Sequence, residues 1–243
     1  ENRRNEILIS SFYENKKELN NQLEAIYSQI LPGNCKGCAN CCSESVGASF
    51  TEAANIYVYL LENSLFTQDL KKAIMVYYLD IYKKRNKCPF LDKTKRCKIY
   101  EVRPLNCRLY GHWLKDDYES NLKRLHKQAL DISKEFNENG YEVSKEYLDF
   151  QIPYCHDFIG ELYDLSFRNR LYDRLVNIDS GFIISNNLEI DYADKGIVEH
   201  IAGLLFDTEA IDKLRFENKL TDKLKRRLIK IAEHIIPKVY INK

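Results

Sequence analysis

Cys35-Lys-Gly-Cys38-Ala-Asn-Cys41-Cys42 is the stretch that decides how this chain folds and what it holds. Soft thiolates at two-residue spacing converge on a metal while the backbone between them turns. The other cysteines extend the pattern: Cys88-Pro-Phe-Leu, Cys97-Lys-Ile-Tyr100, Arg103-Pro-Leu-Asn-Cys107-Arg108 and, further on, Cys155-His156. Eight thiols make two sets of four, so Cys35, Cys38, Cys41, Cys42, Cys88, Cys97, Cys107 and Cys155 are all candidate metal ligands. The adjacent pair Cys41 and Cys42 is expected to project in different directions and serve different centres, or to leave one thiol outside.

Outward from that run the periodicity is helical. Leu19, Leu23, Ile26 and Ile30 share one face of a helix that ends at Pro32-Gly33 and delivers the chain into Cys35. Thr51 reads as the cap of a helix carrying Ile56, Tyr57 and Leu60, and Leu70, Ile74, Tyr77 and Ile81 lie on the next one. Between Cys88 and Tyr100 a short β-hairpin is expected, turning at Asp92-Lys-Thr-Lys and bringing Cys88 near Cys97. Leu122, Leu125, Ala129, Ile132 and Phe136 predict a long helix closed by Asn139-Gly140. Further amphipathic stretches carry Phe158, Leu162 and Leu165, then Ile197, Ile201 and Leu204, then Leu220, Leu224, Leu228, Ile231 and Ile235. The expected fold is therefore mainly α, a helical domain with a cysteine-rich metal-binding loop region and a short β-hairpin. A single domain is expected over 1–243, with 31–115 the cysteine-cluster core and 116–243 a helical extension packed on it. At 243 residues and 44% hydrophobic content the chain can bury a sizeable core, so metal need not carry the whole fold.

Disulfides are the competing use of eight cysteines, but they need an oxidising compartment and relaxed geometry, which neighbours such as Cys41 and Cys42 lack. No stretch has the pattern of a signal peptide, a membrane span or a lipid anchor, so a cytoplasmic location is expected. The chain begins at Glu1, which leaves a removed upstream segment open.

In order and spacing, CxxCxxCC, CPFL, CxIY and RPxxCR with Tyr110 resemble the YkgJ-type CxxCxxCC cysteine-cluster family of zinc- or iron-chelating domains, which includes flagellin lysine N-methylases. The similarity covers about Cys35 to Gly111. It implies a cysteine-bound metal centre, and more weakly S-adenosylmethionine-dependent methyl transfer to a lysine of a protein substrate.

Two metals fit the spacing. Cys35, Cys38 and Cys41 with the distant Cys88-Pro89 resemble ferredoxin ligation and favour a 4Fe-4S iron-sulfur cluster. The same eight thiolates close two tetrahedral zinc sites. Basic residues surround them, and Arg103 and Arg108 are candidates to donate to thiolate sulfur or to the carboxylate of a bound cofactor. Tyr110 is a candidate shield or hydrogen-bond donor at the cluster. His112 is read as a ligand, a proton carrier or a structural residue, and so is His156. With 37 Lys and Arg against 36 Asp and Glu the chain is nearly neutral, which argues against nucleic acid as a partner. No GxSxG, HExxH, P-loop or GxGxxG is present. Two functions follow from different classes: a metal-cluster methyltransferase resembling flagellin N-methylase, or a non-catalytic zinc- or iron-binding structural or carrier protein. A structural zinc contributes on the order of 10 kcal/mol to folding, sufficient reason for the thiols without chemistry.

Overall fold

The computed structural model describes residues 2–43, 46–84, 86–187, 195–206 and 208–237. Within them the chain forms α1 (Asn2–Tyr27), α2 (Phe50–Glu62), α3 (Gln68–Leu79), α4 (Leu105–Leu109), α5 (Lys115–Glu138), α6 (Lys145–Asp149), α7 (Leu165–Ser185), α8 (Ile197–Leu205), α9 (Thr208–Phe216) and α10 (Asp222–His234).

Two apolar cores organise these helices. The larger joins Ile9 and Phe12 of α1 to Ile56 and Leu60 of α2, Leu70 and Ile74 of α3, Phe182 of α7, Ile197 and Ile201 of α8 and Ala232 of α10. The smaller packs Leu23, Ile26 and Tyr27 at the end of α1 against Leu105 and Leu109 of α4 and Leu171 and Leu175 of α7. Phe90 and Ile99, both almost wholly buried, plug the loop that carries Cys88 and Cys97 into the larger core. Burial of an aromatic ring like Phe90 stabilises by about 3–5 kcal/mol relative to alanine, so the loop is tied to the scaffold without metal.

The long helix closing at Asn139-Gly140 forms as expected, with Asn139 the C-cap of α5 and Gly140 at φ 78°, and Leu19, Leu23 and Ile26 lie on α1, which ends at Tyr27, so that Ile30 falls in the turn after it. Three expectations need correction. Ser49, not Thr51, caps α2: its side chain accepts from Glu52 N, and the Glu52 carboxylate accepts from Ser49 N. Among the described residues there is no β-strand, so the hairpin over 88–100 is not formed. A single antiparallel bridge pair, Leu91 with Cys97, stands in its place. The physical reason is the turn itself: Asp92 Oδ1 accepts from the N–H groups of Thr94 and Arg96, Lys95 takes φ 63°, and the chain turns again at both flanks through Leu91 N to Cys88 O and Tyr100 N to Cys97 O. No residues remain to extend a ladder. Finally, Phe158 and Leu162 lie in an irregular segment ahead of α7 rather than on a helix with Leu165.

Helix α7 had no expected counterpart because its buried face is partly polar. Arg168 and Asp179 are buried on it beside Leu171, Leu175 and Phe182. Asp179 accepts from Phe50 N and Thr51 N, so it caps the start of α2 from another helix.

Candidate metal centre

Three loops and one short helix deliver the thiols. The Cys35–Cys42 run coils tightly because Gly37 and Ala39 both take positive φ, 68° and 62°, before Asn40–Ser43 closes a 3₁₀ turn. Gly37 N points at Cys35 Sγ at 3.4 Å. Cys41 and Cys42 do not diverge as expected: their sulfurs lie 3.9 Å apart, since both belong to the turn and Cys42 departs from helical angles at φ −92°, ψ 16°. Cys88 N then donates to Cys42 O at 2.8 Å, which fixes the second loop on the first.

Cys41, the 88–97 loop and the helix bearing Cys107 come into one region, with the Leu91–Cys97 bridge folding Cys97 back toward Cys88. Burial pushes the Cys88 thiol up to about 12, and the charges of Cys97 and Cys41 add to it. Burial likewise raises Cys97, opposed by Arg103, with Cys41 raising it further. Cys107 is raised well above its ordinary range, first by burial, then by Cys88, Cys97 and Cys41. Cys41 is raised by its contact with Cys42 and by burial, and lowered by Arg103. Cys41, Cys88, Cys97 and Cys107 thus disfavour one another's thiolate forms, and a cation bound near them would offset that.

Cys155 comes from a separate segment, whose Ile159 pairs with Asn34 next to Cys35. Burial raises it first, then the charges of Cys38, Cys35 and Cys41. Cys35 and Cys38 are exposed, whereas Cys88, Cys97, Cys107 and Cys155 are part-buried. Among the described residues no three His, Cys, Asp or Glu side chains stand close enough, as placed, to hold a metal ion.

The four residues expected to contact a cofactor divide by position. Arg103 carries positive charge to Cys41, Cys97 and Cys107, with its guanidinium stacked 3.7 Å from the Tyr100 ring centre. Arg108 lies 4.0 Å from the Tyr27 ring centre and donates to the carbonyls of Arg103 and Glu101, so it braces the loop that presents Arg103. Tyr110 donates to Pro153 O, and its hydroxyl is raised by burial, then by Tyr118 and by the charges of Cys41 and Cys155. His112 is buried, its ring against Phe158 and Tyr163 and its Nδ1 2.6 Å from Glu161 O; burial lowers its pKa. His156 packs edge-on against Tyr154.

Two supporting residues were missed. Glu52, 1% exposed, accepts from Tyr27 Oη, Ser49 N and Leu105 N, and so joins α1, α2 and the start of the helix bearing Cys107. Its signal was in the sequence: Ser49-Phe-Thr-Glu52 has the S-x-x-E spacing of a capping box. Asn106 donates to Gly47 O and accepts from Tyr172 Oη, fixing the same helix from another side.

Comparison with known proteins agrees with this donor set. Residues 34–137 match the CxxCxxCC family model. That family is described as a "putative zinc- or iron-chelating domain". The CxxCxxCC match takes in seven of the eight cysteines and stops before Cys155. An uncharacterised protein of Methanocaldococcus jannaschii is 36% identical over 88 residues, 35% of this chain and 47% of the relative. The chain thus spans about half the length of that curated relative. No solved structure matches. Eight thiols with arginine nearby and no carboxylate ligand in the CxxCxxCC motifs suit a thiophilic ion such as zinc or iron rather than calcium or magnesium. No helix among the described residues is long and apolar enough to cross a membrane.

Proposed function

We propose that the chain is a metal-binding protein with two neighbouring four-thiolate centres. The inner one is formed by Cys41, Cys88, Cys97 and Cys107, and the outer one by Cys35, Cys38 and Cys155 with Cys42, whose sulfur lies 3.9 Å from that of Cys41 at the junction of the two. The observation that carries the reading is convergence: segments tens of residues apart bring their thiols together through Cys88 N to Cys42 O and through the Leu91–Cys97 bridge.

This grouping favours tetrahedral zinc sites. Ferredoxin-like ligation would join Cys35, Cys38 and Cys41 with Cys88, whereas the Asn34–Ile159 pairing sets the segment of Cys155 beside that of Cys35. The spacing still supports iron as a second reading. When bound, zinc supplies folding energy and iron adds redox chemistry. The protein's own contribution is to hold the thiolates and to offset their negative charge, with Arg103 favouring the thiolate at Cys41, Cys97 and Cys107 and Arg108 bracing the Arg103 carbonyl. S-adenosylmethionine binding and methyl transfer to a protein lysine gain no support from the fold or the matched segment, and the proposed function stops at metal binding.

Single Cys→Ser replacement with metal counted per chain tests the partition. Cys88→Ser or Cys97→Ser should remove the inner metal alone, and Cys155→Ser the outer one alone. Unchanged metal content in all of them would overturn the reading.

A further inference from the structure

The geometry points to Phe158 as the positioning residue of the outer thiol group, setting Cys155 against Cys35 and Cys38. This inference rests on the two-centre reading above. Residues 153–163 form a strap with no helix of its own, stapled along its length. Asn34 and Ile159 pair antiparallel, with Asn34 N donating to Ile159 O at 2.7 Å. Tyr163 N donates to His112 O, Leu31 N donates to Tyr163 Oη, and Lys36 pairs with Asp157 at 3.0 Å. Arg168, wholly buried, donates to Tyr163 O and to Asp117, with its guanidinium over the Trp113 ring, so the foot of the strap is anchored to α7 and α5.

At the centre of this arrangement the Phe158 ring is seated on three glycines. A Cβ on Gly33 would lie 2.0 Å from Phe158 Cζ, one on Gly111 2.5 Å from Cδ2, and one on Gly160 2.8 Å from Cε1. None of the three takes a positive φ, so it is space for the ring, not backbone conformation, that calls for glycine. Each glycine is close in sequence to a thiol: Gly33 two residues before Cys35, Gly111 four after Cys107, Gly160 five after Cys155. His112 covers the remaining side of the ring, with centroids 4.5 Å apart. One side chain therefore sets the register of three thiol-bearing segments. Cys107 has other holds, Leu105 and Leu109 being buried in the smaller core. Cys35 and Cys155 depend on the strap, so loss of the ring should release the outer group and spare the inner one.

The test measures two quantities in the full chain. In the first, Cys155 labelling by a maleimide is timed by peptide mass spectrometry on protein stripped of metal. Phe158→Ala should speed it about tenfold, the factor that loss of a half-buried aromatic contact gives an opening equilibrium, while Cys88 labelling stays slow. In the second, zinc per chain is counted after loading with zinc alone. Phe158→Ala should fall from two to one, as Cys155→Ser does. Gly33→Ala should reproduce the loss, and Phe158→Leu in the Gly33→Ala background should restore the second zinc by making room for the new methyl. If Phe158→Ala fails to fold, Gly160→Ala on the exposed strap displaces the ring with the cores intact and is read in the same way. Unchanged Cys155 labelling, or a full zinc complement in the displaced-ring variants, would overturn the inference. A wild-type chain that takes up no zinc would overturn the two-centre reading instead, with the labelling rates still deciding the role of Phe158.

Discussion

Replacing Glu52 by Gln should flatten the pH dependence of stability between pH 5 and pH 8. Burial pushes the Glu52 carboxyl up to about 7 from an ordinary 4.5, against the lowering effect of donors from Ser49, Leu105 and Tyr27, and Asp179 pushes it up further. A carboxyl raised on folding binds its proton more tightly in the native chain. Its contribution is therefore fully present below about pH 4.5 and is lost as the pH rises through about 7. Between pH 5 and pH 8 that loss is about 2.5 kcal/mol, equivalent to about 5–10 °C in Tm for a chain of this size. The substituted amide carries no charge at either pH but turns an N–H toward a neighbouring donor, which costs about 1–2 kcal/mol throughout. The variant is thus less stable than wild type at pH 5 and closes the gap or overtakes it at pH 8. Asp179 and Glu199, also raised by burial, slope the same way, and His200, pushed down to about 4, slopes the opposite way. Glu199 and His200 are common to both proteins and cancel in the difference, while Asp179, which interacts with the Glu52 charge, slopes less in the variant and adds to the flattening. Urea unfolding of the pair at the two pH values is the assay. Parallel pH profiles for wild type and Glu52→Gln would refute the reasoning.

Two other substitutions probe the frame around the thiols. Arg168→Ala leaves Asp117 and Tyr163 O without their buried donor and should cost about 3–5 kcal/mol, read by urea unfolding. Arg108→Ala removes the brace on the Glu101 and Arg103 carbonyls; the inner metal should leave faster to a chelator, with the outer one unaffected.

The helices that alternate cleanly in polarity were legible: α1, α5 and α10 follow from apolar residues at three- and four-residue spacing. Helix α7 was not, because Arg168 and Asp179 occupy buried positions where the pattern leads one to expect apolar residues, and their partners lie on other segments. The loop 88–100 shows the opposite failure. Its residues suit a hairpin, yet the Asp92 side chain takes the turn's N–H groups and the chain bends again at Cys88 and Tyr100. In the candidate site, thiol identity was plain from spacing, but grouping depends on a strap that returns from over a hundred residues away to pair Asn34 with Ile159. Phe158 gave no sequence signal of its own, and the three glycines that seat it are scattered from 33 to 160. His112 read as a candidate ligand because histidine beside a thiol motif commonly is one; here the ring is part of the packing that holds the strap.

Elemental analysis combined with an ultraviolet-visible spectrum, on protein purified without oxygen, tests the central claim most directly. Two zinc ions per chain and no visible absorption are expected. Iron with inorganic sulfide and a broad visible band would contradict the zinc assignment, and a chain that holds no metal would contradict the centres themselves.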